Sequence, residues 1–503
     1  MLTTFSKIFG FFREMLLAWN FGDSPPVEAL NMAASITGNL FGVVTAVVAV
    51  CALPLYTDLA VREDKATGKA FLLNLTNILL LATTLLAGLV WLLAPSIVGL
   101  FASGFSAGTF ALTVEMLRIN LFVTFFHIFT TVVSVFLQSE RKLLEILLAN
   151  MVVNMVQIPC ILLAAHWQDP LWLARGMVMG AAMTSLVMYI WSRKHGFHWR
   201  LYLLLSDPLL KRVLKMMLPA WTGMLVGTIS AMVDRTIASS LEPGSVAAIA
   251  YASTTIIAVT SFFVPTIILV TAPLLAESAV LGIEHLKTAF SKAVNYVILF
   301  TVPMVVGISL IAENAVSILF GHGAFGAEAI ILTSRALIFM APNIFVMHLI
   351  ADLVNRFFLS LQDTLTPNRN GMIGLGVGII FNLLFSQHIG ILGLVIASTM
   401  SNLIFIALGV RQMRLSHGGI GGTKLLRLTL WSCLAALVMG VPVLGISLWV
   451  VPGVVLRWQR VLLLLFQVVV GALTYVAVII KSRLPEVTEL SGVLRSRVRG
   501  GYE

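Results

Sequence analysis

Charge interrupts this chain so rarely that its unbroken stretches dictate what it can fold into. No Asp, Glu, Lys or Arg occurs between Glu28 and Asp58, between Lys69 and Glu115, or between Arg369 and Arg411. A helix that spans a membrane needs about 20 predominantly apolar residues, so each stretch holds one crossing or two. Composition points the same way. The chain is 59% hydrophobic and 11% charged over 503 residues, against roughly 45–50% and 25% in soluble domains. This excludes an ordinary cytosolic enzyme, a disordered chain and a secreted disulfide scaffold, and it leaves no room for a large soluble domain.

Turn and breaker residues divide the apolar sequence: Asp23-Ser24-Pro25-Pro26, Ser103-Gly104, Glu242-Pro243-Gly244, Gly321-His322-Gly323 and Gln387-His388. The predicted fold is all-α and polytopic, with about fourteen transmembrane helices. They fall near 3–21, 27–57, 70–100, 109–138, 143–166, 171–192, 211–240, 245–277, 288–312, 327–357, 368–387, 390–411, 425–450 and 456–480. Lys7 and Arg13-Glu14 interrupt the first apolar run and no small-residue cleavage site follows, so it reads as a membrane helix rather than a removable signal. Cys51, Cys160 and Cys433 sit in apolar runs at no metal or redox spacing and read as small buried hydrophobes.

The net charge of +10 is distributed for orientation rather than for nucleic acid. With fourteen crossings, 24 of the 32 Lys and Arg residues fall on one side, from Arg62, Lys65 and Lys69 to Arg499. The other side receives Arg175, Arg457 and Arg460, and the remaining five lie within helices. Such asymmetry places the basic side, and with it both termini, in the cytoplasm.

The sequence also repeats. Ala94-Pro95-Ser96-Ile97-Val98-Gly99-Leu100-Phe101 precedes a glycine break and Leu112-Thr113, as Ala312–Phe320 precedes another break and Leu332-Thr333. Leu53-Pro54-Leu55 and Phe136-Leu137-Gln138 return as Ala272-Pro273-Leu274 and Phe358-Leu359-Ser360. An offset near six helices preserves orientation, so the halves read as parallel repeats of the kind that binds substrate at the repeat interface. The expected organisation is a six-helix lobe over 1–200, a second over 201–415, two further helices over 416–482 and a basic cytoplasmic tail over 483–503.

Ionisable residues inside the membrane are costly and mark function by default. Arg13 lies about three turns in from Leu2 at 3.6 residues per turn, with Lys7 and Glu14 on the same helix and Glu28 opening the next. Neighbours one apart do not face each other on a helix, so Arg13 is expected to stay free of Glu14 and to face a phosphate or carboxylate. Asp234 and Arg235 have no evident local partner and are also candidates. Glu115–Arg118 and Asp352–Arg356 have pairing spacings and read as structural, while Asp58, Glu277 and Asp363 read as solvated ends. Gly321-His322-Gly323-Ala324-Phe325-Gly326 matches a dinucleotide fingerprint literally, but its flanks are membrane helices and the motif requires a strand before it. No catalytic or metal signature is present, which points away from an enzyme, a cofactor and ATP-driven pumping.

Ser6-Lys7-Ile8-Phe9-Gly10-Phe11-Phe12-Arg13-Glu14 resembles the opening S-R-x-x-G-x-x-R-[DE] of the MurJ (MviN) lipid II flippases, within the MOP exporter superfamily. Ala238–Leu241 with Gly244–Val246 is similar to their seventh-to-eighth helix turn. Phe320–Phe325 followed by Thr333–Leu337 is similar to their F-x-x-G-x-F … T-x-x-A-L. Gln362-Asp363-Thr364-Leu365-Thr366-Pro367 matches their Q-D-x-x-T-P, the most specific piece. The resemblance covers roughly 1–415. It implies a flippase that moves an undecaprenyl-pyrophosphate-linked saccharide across the inner membrane by alternating access, with membrane lipids and a monovalent cation or proton as further partners. It implies that Lys7 stands for a family arginine, that Arg13 and Glu14 match a cavity arginine and its acidic neighbour, and that Glu28 replaces an aspartate. Asp234 falls at a polar position of the seventh helix, and Arg235 is a candidate to restore a cation.

Two family arginines are missing. The second helix continues Asn39-Leu40-Phe41-Gly42-Val43-Val44-Thr45-Ala46-Val47, without the family's arginine and glutamate, and the eighth has Tyr251-Ala252-Ser253-Thr254 where the family reads Y-A-x-R. This points to a diverged substrate, such as an exopolysaccharide or O-antigen unit, as the alternative to lipid II. An ion-coupled exporter of drugs on the same fold is the other alternative; it calls for an acidic cavity, which Arg13 and Arg235 oppose.

Overall fold

The computed structural model describes residues 2–62, 64–260, 264–343, 349–419, 422–450, 457–482, 484 and 487–488, and these contain no strand. The helices are α1 (Leu2–Phe21), α2 (Pro25–Arg62), α3 (Lys65–Leu92), α4 (Ala94–Phe101), α5 (Ala107–Ser139), α6 (Leu143–Trp167), α7 (Leu171–Lys194), α8 (Pro208–Ser239) and α9 (Ser245–Thr260). They continue as α10 (Val264–Leu281), α11 (Ile283–Leu319), α12 (Ala327–Pro342), α13 (Leu349–Ser360), α14 (Leu365–Ile389), α15 (Ile391–His417), α16 (Gly422–Gly445) and α17 (Arg457–Lys481). Among the described residues, ten helices are long and apolar enough to cross a membrane. The protein is a multi-pass membrane protein. The described parts of the fourteen expected segments are largely helical. The third is divided at Leu93, where Pro95 opens α4, and the eighth and tenth each cross residues outside the described ones, with α9 and α10 in one and α12 and α13 in the other. Apart from Leu484 and residues 487–488, the expected tail over 483–503 lies outside the described residues.

The chain forms two compact units. The first is Met1–Ala250 with His322–Ala329; the second is Tyr251–Gly321 with the described residues from Ile330 onward. In the first unit the core is built around Tyr56, Phe71, Phe136 and Phe197, all nearly inaccessible. Phe136 meets Tyr56 edge-on at 6.1 Å and Phe197 at 5.1 Å. Successive helices reverse direction, and polar contacts gather the basic turns at one end: Lys65 Nζ pairs with Glu140 Oε1 at 2.9 Å, and His195 Nε2 lies within hydrogen-bond distance of Glu145 Oε1, also 2.9 Å.

At the opposite end of that unit, turns meet without side chains between them. A Cβ built on Gly104 would lie 2.3 Å from the Ser239 carbonyl oxygen, at the end of α8. One built on Gly323 would lie 2.1 Å from the Trp19 carbonyl oxygen, at the end of α1. Gly323 also has φ +62°, a conformation other residues adopt only under strain. The Ala324 N–H donates to the Trp19 carbonyl at 2.9 Å. The G-x-G-x-x-G match is therefore a packing turn, as its membrane-helix flanks indicated.

In the second unit α11 packs on α16 and α17 around Phe290, Phe357 and Met439. The Tyr475 hydroxyl donates to the Leu299 carbonyl at 2.9 Å. Gly390, at φ +57°, divides α14 from α15 within the charge-free run from Asn370 to Val410. The Q-D-x-x-T-P segment is a helix stop and restart. Gln362 adopts φ +60° after α13, and Asp363 Oδ1 accepts from the Leu365 and Thr366 N–H groups at 3.1 and 3.0 Å, capping α14. Asp363 is thus half-buried and engaged rather than simply solvated. Burial alone would raise its pKa, but the bonds from Thr366 and Leu365 and the Arg369 charge outweigh burial and hold the carboxyl below its ordinary range.

Two further expectations are corrected. Cys51 and Cys160 are buried, but Cys433 is exposed on α16. An apolar run fixes residence in the membrane, and a helix there has an outer face that touches no protein. Arg118 does not turn to Glu115: its guanidinium lies 4.7 Å from the centroid of the Trp91 ring, a cation–π contact that an arginine in an apolar setting favours. Asp352 and Arg356 pair as their spacing requires, with Nε to Oδ2 at 2.6 Å.

Candidate functional site

The candidate residues of α1, α2 and α8 all lie in the first unit. Arg13 is half-buried, and its Nη1 donates to Gln157 Oε1 of α6 at 2.6 Å. Its Nη2 pairs with Glu14, which overturns the expectation that the two stay apart. Adjacent side chains leave a helix in different directions, yet the long arginine stem curls far enough for its guanidinium to meet a carboxylate one position on. Gly10, one turn before, faces Asn154 of α6, whose amide would lie 3.6 Å from a Cβ at that position. Lys7 is exposed.

Gln157 is the residue that sequence reasoning missed. Nothing local marks it, since 144 positions separate it from Arg13; the available signal was a pair of amides, Asn154 and Gln157, three apart on an apolar helix. Gln157 is a neutral acceptor that orients the guanidinium, while the carboxylate of Glu14 offsets its charge.

Glu28 has a different setting. It is 6% exposed, and its Oε1 accepts from the Gly244 N–H at 2.9 Å and its carboxylate also from the Val246 N–H. These N–H groups stand at the start of α9, where helix donors lack partners and the helix dipole favours a negative charge. Glu28 therefore caps α9 from another helix. Gly244, at φ +89°, leaves no room for a side chain beside Asp23, whose Oδ2 would lie 2.7 Å from its Cβ. Arg235 turns to the same place, its Nη1 reaching the Val246 carbonyl at 3.4 Å. Asp234 is half-buried beside it. The structure thus gathers the six candidates into two groups: Lys7, Arg13 and Glu14 on α1, and Glu28, Asp234 and Arg235 about the turn from α8 to α9. Among the described residues no group of His, Cys, Asp and Glu is placed to hold a metal ion.

A multi-pass all-helical bundle with a half-buried arginine among its apolar helices is an arrangement that suits a membrane transporter. The fold agrees. It is similar to a solved lipid II flippase MurJ in an inward closed conformation, with a TM-score of 0.80 at 20% identity over 95% of this chain and 96% of that one. It is also similar to an inward-facing multidrug resistance MATE family transporter of the MOP superfamily, with a TM-score of 0.61 at 20% identity over 80% and 94% of the two chains. A lipid II flippase MurJ from Burkholderia cenocepacia is 26% identical over 427 residues, 82% of each chain. The family model for lipid II flippase MurJ matches residues 17–465, and the chain belongs to that family.

The match runs through both segments that lack the family's arginines. Val43 there belongs to the buried core of the first unit and Val44 packs against it. These departures leave the chain within the family.

Proposed function

We propose that this chain flips lipid II across the bacterial inner membrane by alternating access, with both termini in the cytoplasm. Family membership supports lipid II over an exopolysaccharide unit or a drug. The observation that carries the proposal is Arg13, a half-buried guanidinium within an apolar helix, oriented by the neutral Gln157. It is suited to the pyrophosphate, with Lys7 as a second cation on the same helix and Glu14 as the group the anion displaces. Glu28 and Arg235 act through the turn from α8 to α9, with Asp234 beside them, and a monovalent cation or a proton drives the cycle. The glycine contacts support two parallel repeats: Trp19 and Ser239 are about 220 residues apart, as are Gly104 and Gly323.

Arg13→Ala is expected to abolish rescue of a cell depleted of its own flippase while the protein still folds and reaches the membrane. Arg13→Lys restores part of it, because an ammonium lacks the guanidinium fork. Full rescue by Arg13→Ala sinks the proposed role.

Orientation is tested separately, in a background without the native cysteines. Glu242 and Gly326 are exposed and tolerate a side chain, unlike Gly244 and Gly323. Cysteines at 242 and 326 should react with an impermeant reagent in intact cells, and cysteines at Lys142 and Arg414 should not. The reverse pattern overturns the orientation.

A further inference from the structure

The segment joining α7 to α8 has no helix over residues 197–204, although it is rich in leucine. We propose that it is a re-entrant strap, immersed in lipid acyl chains of the leaflet on the Lys69 side, in which Asn74 and Asn77 replace the water its backbone would otherwise need.

Its path can be followed along α3. After α7 ends, a Cβ at Gly196 would lie 3.0 Å from Lys69 Nζ. Trp199 Nε1 then donates to Asn77 Oδ1 at 3.1 Å, and Asn77 Nδ2 donates to the Arg200 and Tyr202 carbonyls, both at 3.0 Å. The chain comes back to Asn74, whose Nδ2 donates to the Leu204 carbonyl at 2.9 Å and whose Oδ1 accepts from the Leu204 N–H at 2.8 Å. Asn74 also donates to Asp207 Oδ2 at 3.1 Å, while Asp207 Oδ1 caps α8 at the Leu209 N–H. At 1.5 Å per residue, Asn77 lies about 12 Å beyond Lys69 along α3 and Asn74 about 8 Å. The segment therefore rises past the last charge of α3 and returns.

Irregular backbone survives at membrane depth only where its polar groups find partners within the protein. Both asparagines are buried, and together they satisfy three carbonyls and one N–H of the strap. What remains outside is mostly apolar: Leu201 is 85% exposed and Leu205 63%, with Leu203 between them, while the exposed polar side chains, His198, Arg200 and Ser206, lie at its two ends. Further along, α3 exposes Leu81, Leu85 and Leu89, and the strap continues that leucine surface towards the charged end. Trp199 and Tyr202 have the amphipathic rings of a membrane boundary. Arg200 has a stem long enough to carry its charge back to the headgroups. In water the carbonyls would need no asparagines, and the exposed leucines would form a patch that soluble surfaces avoid.

The test uses full-length protein without its native cysteines, reconstituted in lipid bilayers, with a spin label at one position at a time. Accessibility to oxygen, which partitions into lipid, is compared with accessibility to a water-soluble nickel chelate. The oxygen-to-nickel ratio at positions 201 and 203 should match that at 85 on α3 and exceed that at 194 severalfold. A ratio matching position 194 overturns the proposal. With the label at 201, Asn77→Leu, which suits an apolar helix, should lower the ratio severalfold as the strap moves to water. An unchanged ratio removes the asparagines from the explanation.

Discussion

Glycines close one end of the first unit, and amides and carboxylates close the other. At Gly104, Gly244 and Gly323 the absence of a side chain lets turns approach within distances no Cβ would allow. At the basic end, Asn74 and Asn77 hold the strap, while Asp64 and Asp207 cap α3 and α8. The glycine end has little tolerance for change and little chemistry on offer. The amide end depends on specific hydrogen bonds, which can be removed singly and in part.

The largest effect is expected at Gly323. Gly323→Ala adds strain at a positive φ to an overlap with the Trp19 backbone, together about 3 kcal/mol or more. Gly104→Ala creates the overlap with Ser239 without the strained dihedral, and its cost is about 1–3 kcal/mol. Thermal unfolding in detergent ranks the two, and equal losses would mean that the left-handed backbone adds nothing.

Glu28 comes next, as a carboxylate at the glycine end that caps a helix from another helix. Glu28→Ala orphans the first donors of α9 and should cost about 1.5–3 kcal/mol, the range for hydrogen bonds to a charged group. Glu28→Gln keeps an acceptor and should lose less. If both variants unfold at the parent temperature, the cap contributes no stability.

The smallest effect belongs to Asp64, an exposed cap at the basic end. Hydrogen bonds from the Thr67 backbone and side chain hold its carboxyl below the ordinary 3.8. A depressed pKa contributes stability above the unfolded value, and that contribution is lost as pH falls through the folded one. The gap in unfolding temperature between the parent and Asp64→Asn should be full at neutral pH and close below 3.8. A gap that widens in acid contradicts this.

Helices and breaks were legible because charge-free length and breaker residues act locally: Pro25, Gly104 and Gly244 each stand where a helix starts or stops, whereas the break expected at Gln387-His388 lies inside α14, which runs on to Ile389 and stops at Gly390. The candidate site was legible in part. Arg13 stands out as a charge in an apolar helix, but its partner Gln157 comes from a helix far along the chain, and spacing rules say nothing about such pairs. Glu28 carried the same signal as Arg13 and has a different setting, because sequence does not reveal that α9 begins beside it. Asn74 and Asn77 were a visible anomaly, two amides three apart in an apolar helix. Their meaning depends on a leucine-rich stretch more than a hundred residues away.

Gln157 has a consequence for binding kinetics as well as geometry. Arg13 gives up its rotamer freedom when the protein folds, since Gln157 and Glu14 already hold its guanidinium. Immobilising such a side chain at the moment of binding costs about 0.5–1.5 kcal/mol, and here that cost falls on folding instead. In the role proposed for Arg13, an incoming anion exchanges places with Glu14. The proposed exchange replaces one charge-assisted bond with another, so the loss of the Glu14 pair offsets part of what the anion gains, and a carrier that must empty itself on every turn needs such an offset more than it needs affinity.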